Sequence, residues 1–228
     1  MQIYALDDKK ALIIAHVAQK QSDYLCPECG GKVRVRKGKH RTPHFFHLSH
    51  NKHCLQSGKS AVHLAVQNHL LDVLPAGEVV LECRFGKINR IADVVWMPRR
   101  LVFEVQCSSI TAEEVQARNR DYAREGFQVA WILHDQRFNR WRVTAAEECL
   151  QQDPVLFTNM DARGRGKIYA QRSVMREGVR IQWDERRDVN LDNLVWEKWL
   201  DVERVKRQRR WLDWYWMLFR VMLERASR

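Results

Sequence analysis

Along this chain the spacing of apolar residues changes character twice, and each stretch predicts a different kind of structure. Over residues 2–6 and 11–17 apolar positions alternate loosely on either side of Asp7-Asp8-Lys9-Lys10, which predicts a hairpin. Lys32-Val33-Arg34-Val35-Arg36-Lys37 alternates valine with basic residues at period two, the pattern of a half-buried strand with its cationic face in water. Residues 1–58 therefore read as a small β-rich module. From about residue 60 to 74 the period becomes helical, with Val62, Val66, Leu70 and Val73 on one face and Pro75 ending the helix. Strands follow at about 78–84, 90–96 and 101–107. Thr111-Ala112-Glu113-Glu114 has the capping-box form, so a helix begins there and stops at Gly126. The nearly continuous apolar run 127–133 suits a sheet-centre strand covered on both faces. Helix, three strands, helix, strand predicts an α/β core with a mixed sheet over residues 59–154. After Asp153-Pro154 the pattern changes again. Arg163-Gly164-Arg165-Gly166-Lys167 reads as a loop, and a helical stretch from about 191 to 225 closes the chain, so residues 155–228 are expected to form a helical extension.

Two of the predicted core strands carry a carboxylate among apolar neighbours: Asp93 in Arg90-Ile91-Ala92-Asp93-Val94-Val95-Trp96, and Glu104 in Leu101-Val102-Phe103-Glu104-Val105-Gln106. Burying a carboxylate is costly unless a cation or proton donor compensates it. Strand residues alternate faces, so Glu104 and Gln106 point the same way, with Pro98-Arg99-Arg100 supplying the turn between the strands. Asp on one strand and Glu-x-Gln on the next is similar to the metal-dependent nucleases of the restriction-endonuclease-like superfamily. That resemblance implies two carboxylates holding Mg²⁺ or Mn²⁺ against a scissile phosphate, where the ion polarises the phosphoryl oxygen and generates hydroxide. The alternative is two solvated strand carboxylates. Glu82, one strand earlier, could add a third, although its ordinary role is a solvated strand-face residue.

Cys26-Pro27-Glu28-Cys29-Gly30-Gly31 places two thiolates on one turn, where tetrahedral Zn²⁺ can take both. Cys54 is the natural fourth ligand, and a histidine from the 44–53 cluster the third. A β module this small rarely holds together without such a staple.

Tyr24-Leu25-Cys26-Pro27-Glu28-Cys29-Gly30, the His44-Phe45-Phe46-His47 to Cys54 cluster, the carboxylate strands, Ser108-Ser109-Ile110, Arg118-x-x-x-Tyr122 and Val129-Ala130-Trp131-Ile132-Leu133 occur here in one order. That order resembles the competence protein CoiA family, bacterial proteins regarded as nuclease-like helpers in processing incoming DNA during natural transformation. The resemblance covers roughly residues 1–135. It implies a zinc-ribbon-like module at residues 1–58 with ligands Cys26, Cys29, His47 and Cys54, His44 being the alternative histidine. It also implies a restriction-endonuclease-like core with Asp93, Glu104, Gln106 and His63 at the active site, and with Arg118 and Tyr122 facing the phosphodiester. Two positions depart from the family's pattern. Its first core helix carries Glu-Ser-x-x-His with a lysine four residues on, whereas this chain has Lys59-Ser60-Ala61-Val62-His63 and then Gln67. Lys59, His63 and Gln67 share one helical strip, so Lys59 could supply the missing cation.

Charge separates the same three stretches. The 228 residues carry a formal net charge of +11, and Lys and Arg exceed Asp and Glu by six in residues 1–58 and by six again in 155–228, while 59–154 is at −1. Basic flanks around a carboxylate-bearing core suit a protein gripping DNA, with single-stranded or branched DNA as the expected partner and recombination proteins as further partners. Six of nine tryptophans follow residue 180, interleaved with clusters such as Arg204-Val205-Lys206-Arg207-Gln208-Arg209-Arg210. Rings beside cations can stack bases and neutralise phosphates, which makes Arg207 and Arg210 candidate DNA contacts, although the same rings would also pack a helix onto the core. No apolar run approaches the roughly 20 residues needed to cross a bilayer, and the first residues lack a signal peptide's apolar core, so a cytoplasmic location is expected. Two other readings use the same features: a degenerate member that binds DNA or recombination proteins without cutting, and a zinc-dependent structural adaptor.

Overall fold

The computed structural model describes residues 1–39, 41–49, 54, 59–151, 153, 155–189 and 191. The first module is a five-stranded antiparallel sheet of β1 (Tyr4–Leu6), β2 (Leu12–Ile14), β3 (Tyr24–Leu25), β4 (Lys32–Gly38) and β5 (Arg41–His47), in the order β2-β1-β3-β4-β5. Gln2, just before β1, exchanges two backbone hydrogen bonds with Phe45, at 3.1 and 2.8 Å, so the sheet curls back on itself. The period-two pattern of β4 is realised: Val33 and Val35 are buried, while Arg34 and Arg36 face out. Val33, Val35, Phe45, Tyr24 and three small alanines close a core around Cys26 and Cys54.

Helix α1 (Ala61–Val73) follows, capped by the Ser60 hydroxyl accepting from the His63 N–H. Its inward face differs from the Val62-Val66-Leu70-Val73 stripe read from the sequence: His63, Leu64, Ala65, Val66, Gln67 and Leu70 are buried, and Val73 is exposed. The helix is rotated because its polar residues His63 and Gln67 find a carboxylate beneath them.

The core sheet contains β6 (Val79–Phe85), β7 (Arg90–Trp96), β8 (Leu101–Gln106), β9 (Gln128–His134), β10 (Val155–Thr158), β11 (Ile168–Ala170) and β14 (Arg187–Asp188), in the order β14-β11-β10-β9-β8-β7-β6. Strands β8, β9 and β10 run parallel, with helices α2 (Ala112–Arg124) and α3 (Ala145–Cys149) in the two crossovers, and the remaining neighbours pair antiparallel. Strand β9 is the middle strand, buried from Val129 to His134 as its apolar run requires. Thr111 caps α2 by accepting from the Glu114 N–H. The full reciprocal capping box is at Thr144 and Glu147, opening α3.

The helical extension expected from residue 155 is corrected over its first part. Residues 155–158 pair in parallel with β9, and β11 and β14 widen the sheet beyond it, while β12 (Ser173–Arg176) and β13 (Val179–Trp183) form a separate hairpin. Leu156 and Phe157 are buried in the sheet and Tyr169 stacks beside Phe157, so the core continues well past the proline expected to end it. The helical stretch at 191–225, with its tryptophans after residue 183, lies outside the described residues apart from Leu191. Among the described residues no helix is long and apolar enough to cross a membrane.

Candidate functional site

Strands β7 and β8 pair only from Trp96↔Leu101 to Val94↔Phe103. Beyond that point they splay, and the Asp93 side chain takes over: its Oδ2 accepts the Val105 N–H at 2.9 Å, a backbone donor that a sheet partner would otherwise satisfy. The splay opens the sheet beneath α1, and side chains from four elements meet there. Lys59, two residues ahead of the helix, places Nζ 3.0 Å from Asp93 Oδ1. His63 Nε2 lies 2.9 Å from the same oxygen. Gln67 Nε2 donates to it at 3.2 Å and to the Asp93 carbonyl at 3.0 Å. The strip of residues four apart on the sequence thus converges on one carboxylate.

Lys59 does more than pair with Asp93. Its Nζ also donates to Glu82 Oε1 at 3.2 Å. Glu82 sits on β6 between the paired positions Leu81↔Val94 and Cys83↔Ala92, in the left-handed region with φ 49°. A non-glycine residue there costs about 1–3 kcal/mol and persists only where its surroundings fix it. Here the backbone N–H of Ile3 donates to both Glu82 oxygens, at 3.3 and 3.2 Å, and the ammonium takes one of them. Glu82 is therefore no solvated strand-face residue: its side chain is only 4% exposed, against 11% for Lys59 and 6% for Asp93.

These contacts fix the charges. Burial alone would raise the Asp93 carboxyl, but the His63 imidazole and Lys59 ammonium, with the bonds from His63 and Val105, outweigh it and hold the group far below the usual carboxylate range. Burial likewise disfavours the Lys59 ammonium, yet Asp93 and Glu82 more than compensate and raise its pKa.

Glu104, on β8, is committed elsewhere. Its Oε2 accepts from Arg118 Nη1 at 2.6 Å and its Oε1 from the Tyr122 hydroxyl at 2.6 Å. Burial first, and the neighbouring Asp93 charge second, push its pKa up against the pull of Arg118 and Tyr122. Burial and the Glu104 charge also push the Tyr122 phenol up, so it remains a proton donor. The DNA contact expected of Tyr122 is thereby corrected: the ring is 1% exposed and its hydroxyl is spent on Glu104. Arg118 is committed to carboxylates as well, bonded to Glu104 and, through Nε at 2.9 Å, to Glu114, although its side chain is 28% exposed. The Gln106 amide donates to the Ser108 carbonyl and hydroxyl, at 2.9 and 3.2 Å, rather than to either carboxylate. Arg207 and Arg210 lie outside the described residues.

The Asp93 and Glu104 donor set does not fit Mg²⁺ or Mn²⁺ as arranged. A hard divalent ion needs about six oxygen ligands. All four oxygens of the two carboxylates already accept from protein groups, and an ammonium bridges Asp93 to Glu82.

The second centre is in the N-terminal module. Cys26, Cys29, His47 and Cys54 present four ligand atoms all within 4.8 Å of one another, and among the described residues they form the one cluster of three or more candidate metal ligands. Cys26 Sγ to Cys54 Sγ is 3.7 Å and Cys29 Sγ to His47 Nε2 is 3.3 Å. A tetrahedron with Zn–S bonds of ~2.3 Å has edges of about 3.8 Å, so the donor set fits a structural zinc. The knuckle is folded by Gly30 N–H to Cys26 carbonyl, 2.9 Å, and Cys26 N–H to Gly31 carbonyl, 2.8 Å. Gly30 has φ +66°, and a Cβ on Gly31 would stand 3.2 Å from Cys29 Sγ and 3.5 Å from His47, so both positions call for glycine. Strand alternation selects the histidine. His47 shares the Phe45 face of β5, turned to the cysteines, whereas His44 is on the other face.

The profile described as "Competence protein CoiA, nuclease-like domain" matches residues 59–172, and "Competence protein CoiA, N-terminal domain" matches residues 6–57. The protein named Competence protein CoiA of Bacillus subtilis (strain 168) is 32% identical over 127 residues, covering 53% of this chain and 34% of the relative. The match thus spans about a third of that relative's length. No solved structure matches the chain. With the nuclease-like domain profile covering half of the sequence and the N-terminal profile matching the module before it, the chain belongs to the CoiA competence-protein family.

Proposed function

We propose that this protein is a DNA-handling member of its family, in which a zinc-ribbon-like module and a restriction-endonuclease-like core hold single-stranded or branched DNA during competence-linked recombination in the cytoplasm, without cutting it. The observation that carries this reading is the Lys59 ammonium seated between Asp93 and Glu82, at 3.0 and 3.2 Å, with every remaining oxygen of Asp93 and Glu104 taken by His63, Gln67, Val105, Arg118 or Tyr122. Apart from the buried Oε1 of Gln67, which has no hydrogen-bond partner among the described residues, the polar atoms of this arrangement are satisfied internally, and its effect is to brace α1, β6, β7 and β8 against one another. A formal charge of +11 supplies the general attraction to nucleic acid.

The test is to incubate the purified protein with labelled single-stranded, duplex and branched DNA, with and without Mg²⁺ or Mn²⁺, and to follow binding by fluorescence anisotropy and integrity on denaturing gels. Binding that weakens steeply with salt, with the DNA left intact, is expected. Metal-dependent cleavage that disappears in Asp93→Ala and Glu104→Ala would overturn the proposal and restore the two-carboxylate hydrolysis reading, with Gln106, His63 and Lys59 placing water and phosphate.

A further inference from the structure

The Tyr122 hydroxyl and the Arg118 guanidinium, the two core groups expected to touch DNA, are both bonded to Glu104, so a nucleic-acid contact is sought elsewhere on the described surface. The outer face of the N-terminal module offers one. A groove of about 610 Å³ is lined by Lys20, Arg34, Arg36, Lys37, Lys39 and Phe46 among others, and no Asp or Glu is among its lining residues. We infer that this groove, on the face of β4 and β5 away from the zinc ligands, binds the backbone of single-stranded DNA and stacks an unpaired base.

The placement follows from strand geometry. Val33 and Val35 occupy the module's core, which forces Arg34 and Arg36 outward, about 6.6 Å apart along the strand. That step is comparable with the interval between successive phosphates of an extended strand. Arg34 lies opposite Phe46 in the β4–β5 register, and the Arg36 guanidinium stacks over the Phe46 ring at 3.9 Å from its centroid. A half-buried ring under a guanidinium plane is the kind of platform on which an unpaired base stacks.

The cations differ in how they are held. Arg34 pairs with Asp23 at 2.5 Å, and Lys37 donates to the His16 carbonyl at 2.8 Å, which fixes both. Among the described residues no carboxylate pairs with Lys20, Arg36, Lys37 or Lys39. Four uncompensated cations around one ring favour a repeating anion with flat rings. An acidic peptide would answer the charge and leave the platform unused, and a duplex keeps its bases stacked away from it.

This inference rests on the DNA-handling reading, and the experiment separates the two. The full-length, zinc-loaded protein is titrated into fluorescein-labelled oligothymidine over a range of salt concentrations, alongside the double variant Arg36→Glu/Lys39→Glu, the variant Phe46→Leu and, as a charge control remote from the groove, Lys87→Glu. Zinc content and melting temperature establish that each is folded. The double variant is expected to bind at least ~10-fold more weakly, with the salt slope reduced by about 1.4, since each phosphate contact on a single strand contributes about 0.7. Phe46→Leu keeps apolar volume and charge, so affinity should fall about fivefold or more at unchanged salt slope. If the wild type binds no DNA, the functional reading itself falls. If it binds and the groove variants match it, or Lys87→Glu loses as much as they do, the groove is not the site. An oligouridine bound more tightly than oligothymidine would overturn the assignment to DNA in favour of RNA.

Discussion

Replacing Lys59 by methionine removes the ammonium while keeping most of the side-chain volume, and it leaves Asp93 and Glu82 facing one another in a buried site. At 3.0 Å an ion pair is worth about 5 kcal/mol gross at an effective dielectric constant of ~20, and desolvation offsets much of that. Removing one partner of a buried pair nevertheless costs roughly 3–5 kcal/mol, because the other charge is left uncompensated. Asp93 keeps His63, Gln67 and the Val105 N–H, and Glu82 keeps the Ile3 N–H, which puts the expected loss near the lower end, about 3 kcal/mol. For a folded unit of this size that is a fall in melting temperature of roughly 6–12 °C. The variant should also gain what the wild type lacks. With the ammonium gone the two carboxylates can share a divalent ion, so Mn²⁺ at 100 times its dissociation constant should return about 2.7 kcal/mol to Lys59→Met and leave the wild type unmoved. Differential scanning fluorimetry with and without Mn²⁺ reads both effects. The pH dependence has a defined sign: the depressed Asp93 pKa contributes stability that is present above its unfolded value, ~3.9, and is lost as pH falls toward the folded value. The gap between wild type and variant should therefore narrow in acid. A melting temperature unchanged by Lys59→Met, or a wild type stabilised by Mn²⁺ as strongly as the variant, would refute the idea that the lysine occupies the cation position.

Two further outcomes are open to direct measurement. The purified protein should carry close to one zinc per chain by elemental analysis, and Cys54→Ser should release it and lower the stability of residues 1–58 in particular, because zinc–thiolate binding contributes folding free energy; metal-free protein of unchanged stability would remove the zinc assignment. Glu104 has the opposite linkage to Asp93. Its folded pKa lies above the usual glutamate value, so the stability linked to it is fully present below ~4.3 and is lost as pH rises through the folded value. The melting temperature of Glu104→Gln relative to wild type should accordingly rise between acid and neutral pH, and a difference that is flat or falls with pH would contradict the raised value.

How much of this was legible before the fold is instructive in its pattern. Strands dominated by apolar residues, such as Arg90–Trp96 around its single carboxylate and Gln128–His134, and the helix opened by the Thr111 cap followed from local chemistry, since the residues that decide them are neighbours in sequence. The burial face of α1 depended on a residue 26 positions away from Gln67, the Asp93 carboxylate, and hydropathy alone turned the helix to the wrong phase. Strands β10 to β14 are two to five residues long, too short for a period to register, and they take their identity from the edge of a sheet already built. Strand β5 was not predicted, because its histidines and Pro43 break any regular alternation, although it is what carries His47 to the cysteines. Glu82 was visible as a third carboxylate, but its burial required a left-handed backbone and a donor from Ile3, 79 residues away, neither of which a local pattern contains.

The two departures from the family's helix pattern become one change when the site is drawn around Asp93. A glutamate at position 59 would bring a third carboxylate to Asp93 and Glu82, a cluster that holds together only around a cation from solution. Lysine at the same position supplies that cation covalently, with one ammonium reaching both carboxylates. Once it is there, a second ammonium from position 67 would face the first across Asp93 Oδ1, the oxygen that Lys59 and His63 already share. Glutamine solves this by donating to the same oxygen without charge, at the cost of its own Oε1, which is buried and has no hydrogen-bond partner among the described residues. A lost acceptor bond costs about 1–3 kcal/mol, whereas two like charges in one buried site cost more. The lysine and the glutamine are therefore coupled, and reverting one without the other should destabilise the core more than reverting both.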